Sequence, residues 1–169
     1  RIGIIGAMAQ EVSILAGQLE NAERYEHAGF VFHTGTRHGL EIVILQSGIG
    51  KVNAAVGTAI LLERHQPDAI INTGSAGGFA TDLAIGDVVI SDELRHHDVD
   101  AVVFGYELGQ VPGMPAAYPA DKRLREIARG AIAALGEVNV REGMIATGDA
   151  FMADPDRVAA TRAQFPSML

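Results

Sequence analysis

The spacing of apolar residues divides the chain into strands that alternate with amphipathic helices. Residues 1–5 form a short apolar stretch that predicts a buried strand. After Gly6-Ala7, the residues Met8, Val12, Leu15 and Leu19 recur at helical spacing and place one apolar face on a first helix. Residues 30–34 and 40–46 alternate or run apolar, and Gly35 and Gly39 lie between them. This pattern predicts a hairpin whose connection is longer than two residues. Ser47-Gly48-Ile49-Gly50 then punctuates the chain, and a second helix follows with Val52, Ala55, Val56, Ala59 and Ile60 turned inward. Residues 69–73 are a continuous apolar run, as expected of a central strand covered on both faces, and end in Gly74-Ser75-Ala76-Gly77-Gly78.

Residues 86–91 predict a further strand. Residues 96–120 carry no clear period but hold Pro112, Pro115 and Pro119 with Gly105, Gly109 and Gly113, which reads as a long functional loop. Asp121 is placed to cap a third helix bearing Leu124, Ile127, Ala128, Ala131 and Leu135, with Gly136 as its stop. Residues 138–147 predict a strand ending at Gly148-Asp149, and Asp154-Pro155 opens a last helix through Val158, Arg162 and Phe165. The fold class is therefore α/β, with a mixed, twisted central sheet flanked by helices. With no internal repeat, linker or low-complexity tract, residues 1–169 are expected to form a single domain.

Charge and composition narrow the function. Thirteen basic residues against 21 acidic ones leave a net charge of −8. Such a surface repels phosphate backbones and anionic lipid, so neither nucleic acid nor membrane is an expected partner, while a near-neutral nucleoside is still allowed. The absence of cysteine excludes disulfides, Cys-ligated zinc and a thiol nucleophile. No apolar run approaches a membrane span, and the first apolar stretch is too short for a signal peptide, so a cytoplasmic protein is expected.

The glycines invite three motifs that fail. Gly48-Ile49-Gly50-Lys51 lacks the earlier glycine of a phosphate-binding loop, because position 45 is Leu, and lacks the Ser or Thr after the lysine, because position 52 is Val. Gly3-Ile4-Ile5-Gly6 lacks the third glycine of a dinucleotide fingerprint. Ser75 lies in Gly74-Ser75-Ala76-Gly77, which is not a nucleophile elbow. His96, His97, Asp98 and Asp100 could suggest a metal, but a polar loop explains them better without a second ligand cluster, and no metal site is expected.

Three glycine-bearing turns follow strands: Gly6-Ala7-Met8, Gly74-Ser75-Ala76-Gly77-Gly78 and Gly148-Asp149-Ala150-Phe151. Ligands of open α/β sheets bind at the carboxyl ends of strands, where glycine lets backbone N–H groups approach closely. Together the three turns point to a pocket. Glu11 sits early in the first helix, where it serves either as a base at the mouth of the sheet or as a complement to the helix dipole. Phe104, Tyr106 and Phe151 lie in glycine-rich surroundings, as satellite core or as walls for a flat ring and an apolar tail.

These segments resemble the bacterial methylthioadenosine/S-adenosylhomocysteine nucleosidases of the nucleoside phosphorylase superfamily. The matching stretches are Ile2-Gly3-Ile4-Ile5-Gly6-Ala7-Met8 with Glu11, Ser47-Gly48-Ile49-Gly50-Lys51-Val52, Ile71-Asn72-Thr73-Gly74-Ser75-Ala76-Gly77-Gly78, Phe104-Gly105-Tyr106-Glu107 and Gly148-Asp149-Ala150-Phe151. They run in the family's order along the whole chain. The resemblance implies a phosphorylase/hydrolase-like fold and hydrolysis of an N-glycosidic bond that releases adenine, the work of a methionine-salvage enzyme. It implies Glu11 as the water-activating carboxylate and Ser75 as a residue that helps hold that water. It further implies that Phe151 stacks on adenine, that the backbone of Met152 reads the adenine edge, and that Met8, Ile49 and Phe104 form the alkylthio pocket. Tyr106 and Pro112 would reach into a partner subunit's pocket, which implies a homodimer. No cofactor is implied.

The family continues beyond this point with a Met-Glu pair for the ribose, an Arg, and a Ser-Asp pair whose Asp protonates adenine. The chain, which starts at Arg1 rather than Met, is therefore expected to lack its C-terminal part. The rival readings are a purine nucleoside phosphorylase, a futalosine-type nucleosidase and a non-catalytic binding domain. The phosphorylase is disfavoured because residues 2–23 and 65–94 hold no arginine for phosphate and Glu11 would repel it.

Overall fold

The computed structural model describes residues 1–136 and 138–169. The chain divides into two compact units, Arg1–Ala76 and Gly77–Leu169. In chain order the first holds β1 (Ile2–Gly6), α1 (Ala9–Ala16), β2 (Glu20–His27), β3 (Phe30–Arg37), β4 (Leu40–Gln46), α2 (Lys51–His65) and β5 (Ala69–Asn72). Its five-stranded sheet has the order β2-β3-β4-β1-β5. β2, β3 and β4 form an antiparallel meander, and β1 runs parallel to both β4 and β5. β1, β4 and β5 therefore present their carboxyl ends on the same side.

The pleat of β4 explains how the unit holds together. Ile42, Val43, Ile44 and Leu45 are all buried. Ile42 and Ile44 join Val12 of α1 on one face, with Leu15 and Leu19 beside them. Val43 and Leu45 join Leu61 of α2, Phe30 and Phe32 on the other. Successive side chains of a strand point to opposite faces, so an unbroken apolar run is what a strand covered on both sides requires. Each such side chain contributes about 1.5–3 kcal/mol by leaving water.

Several local expectations change here. β2 has no apolar period, yet it forms the outer strand of the meander. Its side chains are mostly exposed, and Tyr25 anchors it by stacking on Phe32 at 5.2 Å between centroids. The connection between β3 and β4 is two residues rather than longer, because β3 continues to Arg37, which pairs with Leu40. Its residues His38 and Gly39 have φ of 51° and 77°, and Ala28 and Gly29 repeat the arrangement between β2 and β3 with φ of 50° and 83°. Two positive φ values are what the tight type I′ hairpin turn demands.

Helix α2 buries Gly57 and Leu61; of the residues expected to turn inward Ile60 packs against this core, while Val52 and Val56 are exposed. A Cβ at Gly57 would stand 3.1 Å from both Leu45 and Phe30, so close approach of helix to sheet selects the face that carries the glycine. β5 lies at the edge of its sheet rather than the centre, with Ile71 and Asn72 exposed.

The second unit holds β6 (Val88–His96), a 3-10 turn at Val102–Phe104, β7 (Tyr118–Pro119), α3 (Lys122–Leu135), β8 (Val140–Thr147) and α4 (Pro155–Gln164). β6 lies between β7, antiparallel, and β8, parallel. The region expected as one long loop thus contributes the end of β6, the 3-10 turn and β7. The caps are as the sequence foresaw. Asp121 accepts from the Leu124 N–H at 2.9 Å, Gly136 ends α3 with φ of 72°, and Asp154 accepts from the Arg157 N–H at 2.8 Å with Pro155 in the first turn. Met144, Phe165 and Met168 form this unit's core, with Phe79, Leu108 and Ala146 against them. Phe165 falls just past the end of α4 rather than inside it. Both units are α/β with mixed sheets flanked by helices. Among the described residues no helix is long and apolar enough to cross a membrane.

Candidate active site

The parallel strands β1, β4 and β5 end in register and hand the chain to three turns. Ser47 donates its N–H to the Gly6 carbonyl at 2.9 Å, Gly48 to the Ala7 carbonyl at 3.0 Å, and Thr73 to the Ile5 carbonyl at 2.9 Å. These bonds knit Gly6-Ala7-Met8, Ser47-Gly48-Ile49 and Thr73-Gly74-Ser75 into one rim at the carboxyl end of the sheet.

Glu11 closes that rim. It occupies the third position of α1, whose N-cap is Met8, and its side chain turns back over the helix start. One carboxylate oxygen, Oε2, accepts the backbone N–H groups of Ala7 at 2.8 Å and Met8 at 2.9 Å. The other, Oε1, accepts the backbone N–H and the hydroxyl of Ser75, both at 2.9 Å. An ionised carboxylate offers about four lone-pair directions, and all four are taken. The contact with Ser75 depends on glycine: a Cβ at Gly74 would stand 2.8 Å from Oε1. Gly6 has a similar role under the helix, where a Cβ would meet Val12 at 2.6 Å.

The electrostatics follow from these contacts. Partial burial pushes the Glu11 pKa up, but the hydrogen bonds from Ser75, Met8 and Ala7 outweigh it and hold the carboxyl below its ordinary value of 4.5. Glu11 is a stable anion aimed at the strand-end rim. The sequence offered two roles for it, a cap on the helix start and a base at the mouth of the sheet. It caps α1, and it also reaches across to Ser75, 64 residues away, which a capping residue has no need to do.

The other expected site residues fall into two groups. Met8 lies on the same rim as Glu11 and is half-buried, and Ile49 follows the Gly48 tie and is exposed. In the second unit, Phe151 and Met152 sit on the turn after β8. Phe151 is 91% exposed and Met152 half-buried. Phe104 is exposed at the end of the 3-10 turn, and half-buried Tyr106 and exposed Pro112 lie on the loop that follows. The Glu107 N–H donates to the Gln110 side chain at 3.0 Å, and Arg95 pairs with Glu107 at 3.2 Å, so this loop is tied down on both sides of Tyr106's neighbour.

Sequence reasoning missed the N–H groups of Ala7 and Met8 as carboxylate ligands. The signal was present, since an acidic residue three positions after an N-cap is the spacing that lets a side chain reach back to the helix start. His97 and Asp98, which the sequence suggested as a polar loop rather than metal ligands, lie over Gly148, and Asp98 accepts the Asp149 N–H at 2.9 Å. Among the described residues no group of three or more His, Asp or Glu is placed to hold a metal ion.

Three parallel strand ends thus meet a capped carboxylate at one rim of the sheet. The Phosphorylase superfamily model matches residues 1–168. Within that class, the 5′-methylthioadenosine/S-adenosylhomocysteine nucleosidase of Chromohalobacter salexigens is 66% identical over all of this chain and 72% of its own length. That of Lysinibacillus sphaericus is 56% identical over 99% of this chain and 73% of its own. Among solved structures, the nucleosidase of Colwellia psychrerythraea in complex with adenine superposes with a TM-score of 0.96 at 50% identity, covering 99% of this chain and 69% of its own. The Neisseria meningitidis enzyme in complex with methylthio-immucillin-A gives 0.96 at 42% identity, covering 99% and 72%. This chain belongs to the 5′-methylthioadenosine/S-adenosylhomocysteine nucleosidase family.

Proposed function

We propose that the protein hydrolyses the N-glycosidic bond of 5′-methylthioadenosine and S-adenosylhomocysteine, releasing adenine and the thioribose product. The observation that carries this reading is the Glu11 carboxylate, held ionised at the strand-end rim and bonded to Ser75. Water attacks C1′ of the ribose as the bond from C1′ to adenine breaks, and the bonding pair leaves with the base. The Ser75 hydroxyl turns from Glu11 Oε1 to hold the water, which frees that oxygen to take the water's proton. A carboxylate of lowered pKa is a weak base, but water bonding to an oxocarbenium-like carbon becomes strongly acidic, so the proton can move late and still find an acceptor. The same negative charge favours the cationic sugar.

Phe151 stacks on adenine, and the Met152 backbone reads its edge. Met8, Ile49 and Phe104 enclose the alkylthio group, while Tyr106 and Pro112 enter the pocket of a second copy in a homodimer. The chain spans 72% of the length of the Chromohalobacter relative, and the family resemblance implies that the acid for the leaving base and the ribose-binding carboxylate lie in the remainder. The chemistry on this chain is water activation and base stacking, and needs no cofactor.

The test is adenine release from methylthioadenosine by the full-length protein, with and without inorganic phosphate. Release that is indifferent to phosphate supports hydrolysis. Release that requires phosphate, with a ribose 1-phosphate product, would establish a phosphorylase instead.

A further inference from the structure

Phe151 is almost wholly exposed, so its own packing does not fix where its ring stands. What holds its turn is visible on the neighbouring strand. β6 and β8 run parallel and, after a register shift between Ser91 and Leu94, pair to their ends, with Arg95 opposite Ala146 and His96 opposite Thr147. One residue further, the His97 N–H donates to the Thr147 carbonyl at 2.9 Å. Beyond that the strands part, and the Asp98 side chain spans the gap. Its Oδ2 accepts the backbone N–H of Asp149 at 2.9 Å. The fit over Gly148 is close. A Cβ there would meet the His97 ring at 2.4 Å and 2.6 Å and the Asp98 carboxyl carbon at 2.9 Å. Gly148 does not have a positive φ, so its missing side chain serves the seating of His97 and Asp98 rather than a backbone conformation.

We infer that Asp98 and His97 are positioning residues for adenine recognition: they clamp the Gly148-Asp149 turn so that Phe151 and Met152 meet the base already ordered. This rests on the reading that Phe151 stacks on adenine. A ring on an untethered turn must be immobilised by the ligand, and that ordering is subtracted from affinity; a clamped turn has been ordered by folding. The anionic oxygen of Asp98 makes the stronger, charge-assisted kind of hydrogen bond. The His-Asp pair, which the sequence suggested as a polar loop, thus takes on a recognition role without touching substrate.

The experiment compares Asp98→Ala and Asp98→Asn in the full-length enzyme, with adenine affinity by calorimetry and kcat and KM for methylthioadenosine. Losing a charge-assisted hydrogen bond is expected to weaken adenine and raise KM about tenfold in Asp98→Ala. Asparagine keeps an acceptor oxygen in place and should restore most of that loss. In a Phe151→Ala background, Asp98→Ala should add less than it does in the parent, because only the Met152 backbone is left to position. Gly148→Ala, which keeps the carboxylate but drives a methyl into His97, should reproduce the KM effect and serves if Asp98→Ala does not fold. If Phe151→Ala alone leaves adenine affinity unchanged, the stacking reading fails. If Phe151→Ala weakens adenine while Asp98→Ala and Gly148→Ala leave its affinity and KM unchanged, or if alanine and asparagine at 98 behave alike, the clamp is refuted and stacking stands.

Discussion

Replacing Glu11 by glutamine separates chemistry from folding, because the hydrogen-bond geometry tells how much of each is lost. The glutamine carbonyl can take the place of Oε2 and accept from Ala7 and Met8. Its NH₂ then faces Ser75, where it can donate to the hydroxyl but must oppose the backbone N–H. Three of four contacts survive without charge assistance, and one donor is orphaned. Ser75 is exposed, so that N–H can turn to water. The stability loss is therefore at the low end for a disrupted charged hydrogen bond, about 1–2 kcal/mol, within the margin of about 5–15 kcal/mol of a folded domain. The loss of the base is far larger in rate: kcat should fall about 10²–10⁴-fold, or about 3–5 kcal/mol of activation free energy. The assay is adenine release at saturating methylthioadenosine beside a thermal melt. A Glu11→Gln enzyme with kcat within about threefold of the parent would show that the carboxylate only caps α1.

Phe151→Ala should lower adenine affinity by about 1–3 kcal/mol in calorimetry, with unchanged affinity in a folded variant rejecting the stacking role. The depressed pKa of Glu11 stabilises the fold above the unfolded carboxyl's pKa, and this contribution is lost as pH falls through the folded value, below 4.5. Glu11→Gln should therefore flatten the acid side of a plot of Tm against pH, and an unchanged slope would contradict the assignment. Activity should fall over the same acid range, and Ser75→Ala, which removes one of the bonds that lower the pKa, should move that limb to higher pH. In the core, Leu61→Ala should destabilise by about 2–5 kcal/mol in denaturant melts, because Leu61 is fully buried between α2 and the sheet.

Local chemistry made much of this protein legible in the sequence. The apolar pattern of residues 40–46 announced a strand, Asp121 and Asp154 announced helix starts, and Gly136 announced a stop, because each signal lies within a few residues of what it controls. Two of the three strand-end glycine turns, at Gly6 and Gly74, end neighbouring strands of one sheet. Where the sequence offered equal choices, packing made the decision. Helix α2 carries a valine stripe and a stripe through Gly57 and Leu61 at the same spacing, and only contact with Phe30 and Leu45 selects the second. β2 has almost no apolar period, so its strand exists because β3 offers an edge and Tyr25 stacks on Phe32. The identity of Glu11 as a possible base could be read in one dimension, but its ionisation could not. The four donors that fix it come from Ala7, Met8 and Ser75, and Ser75 arrives only when β1 and β5 pair. Likewise Asp98 meets Asp149 across 51 residues because β6 and β8 end side by side. Hydrophobic period and capping are properties of neighbouring residues along the chain. A pKa or a clamped turn depends on groups that only the sheet brings within hydrogen-bonding distance.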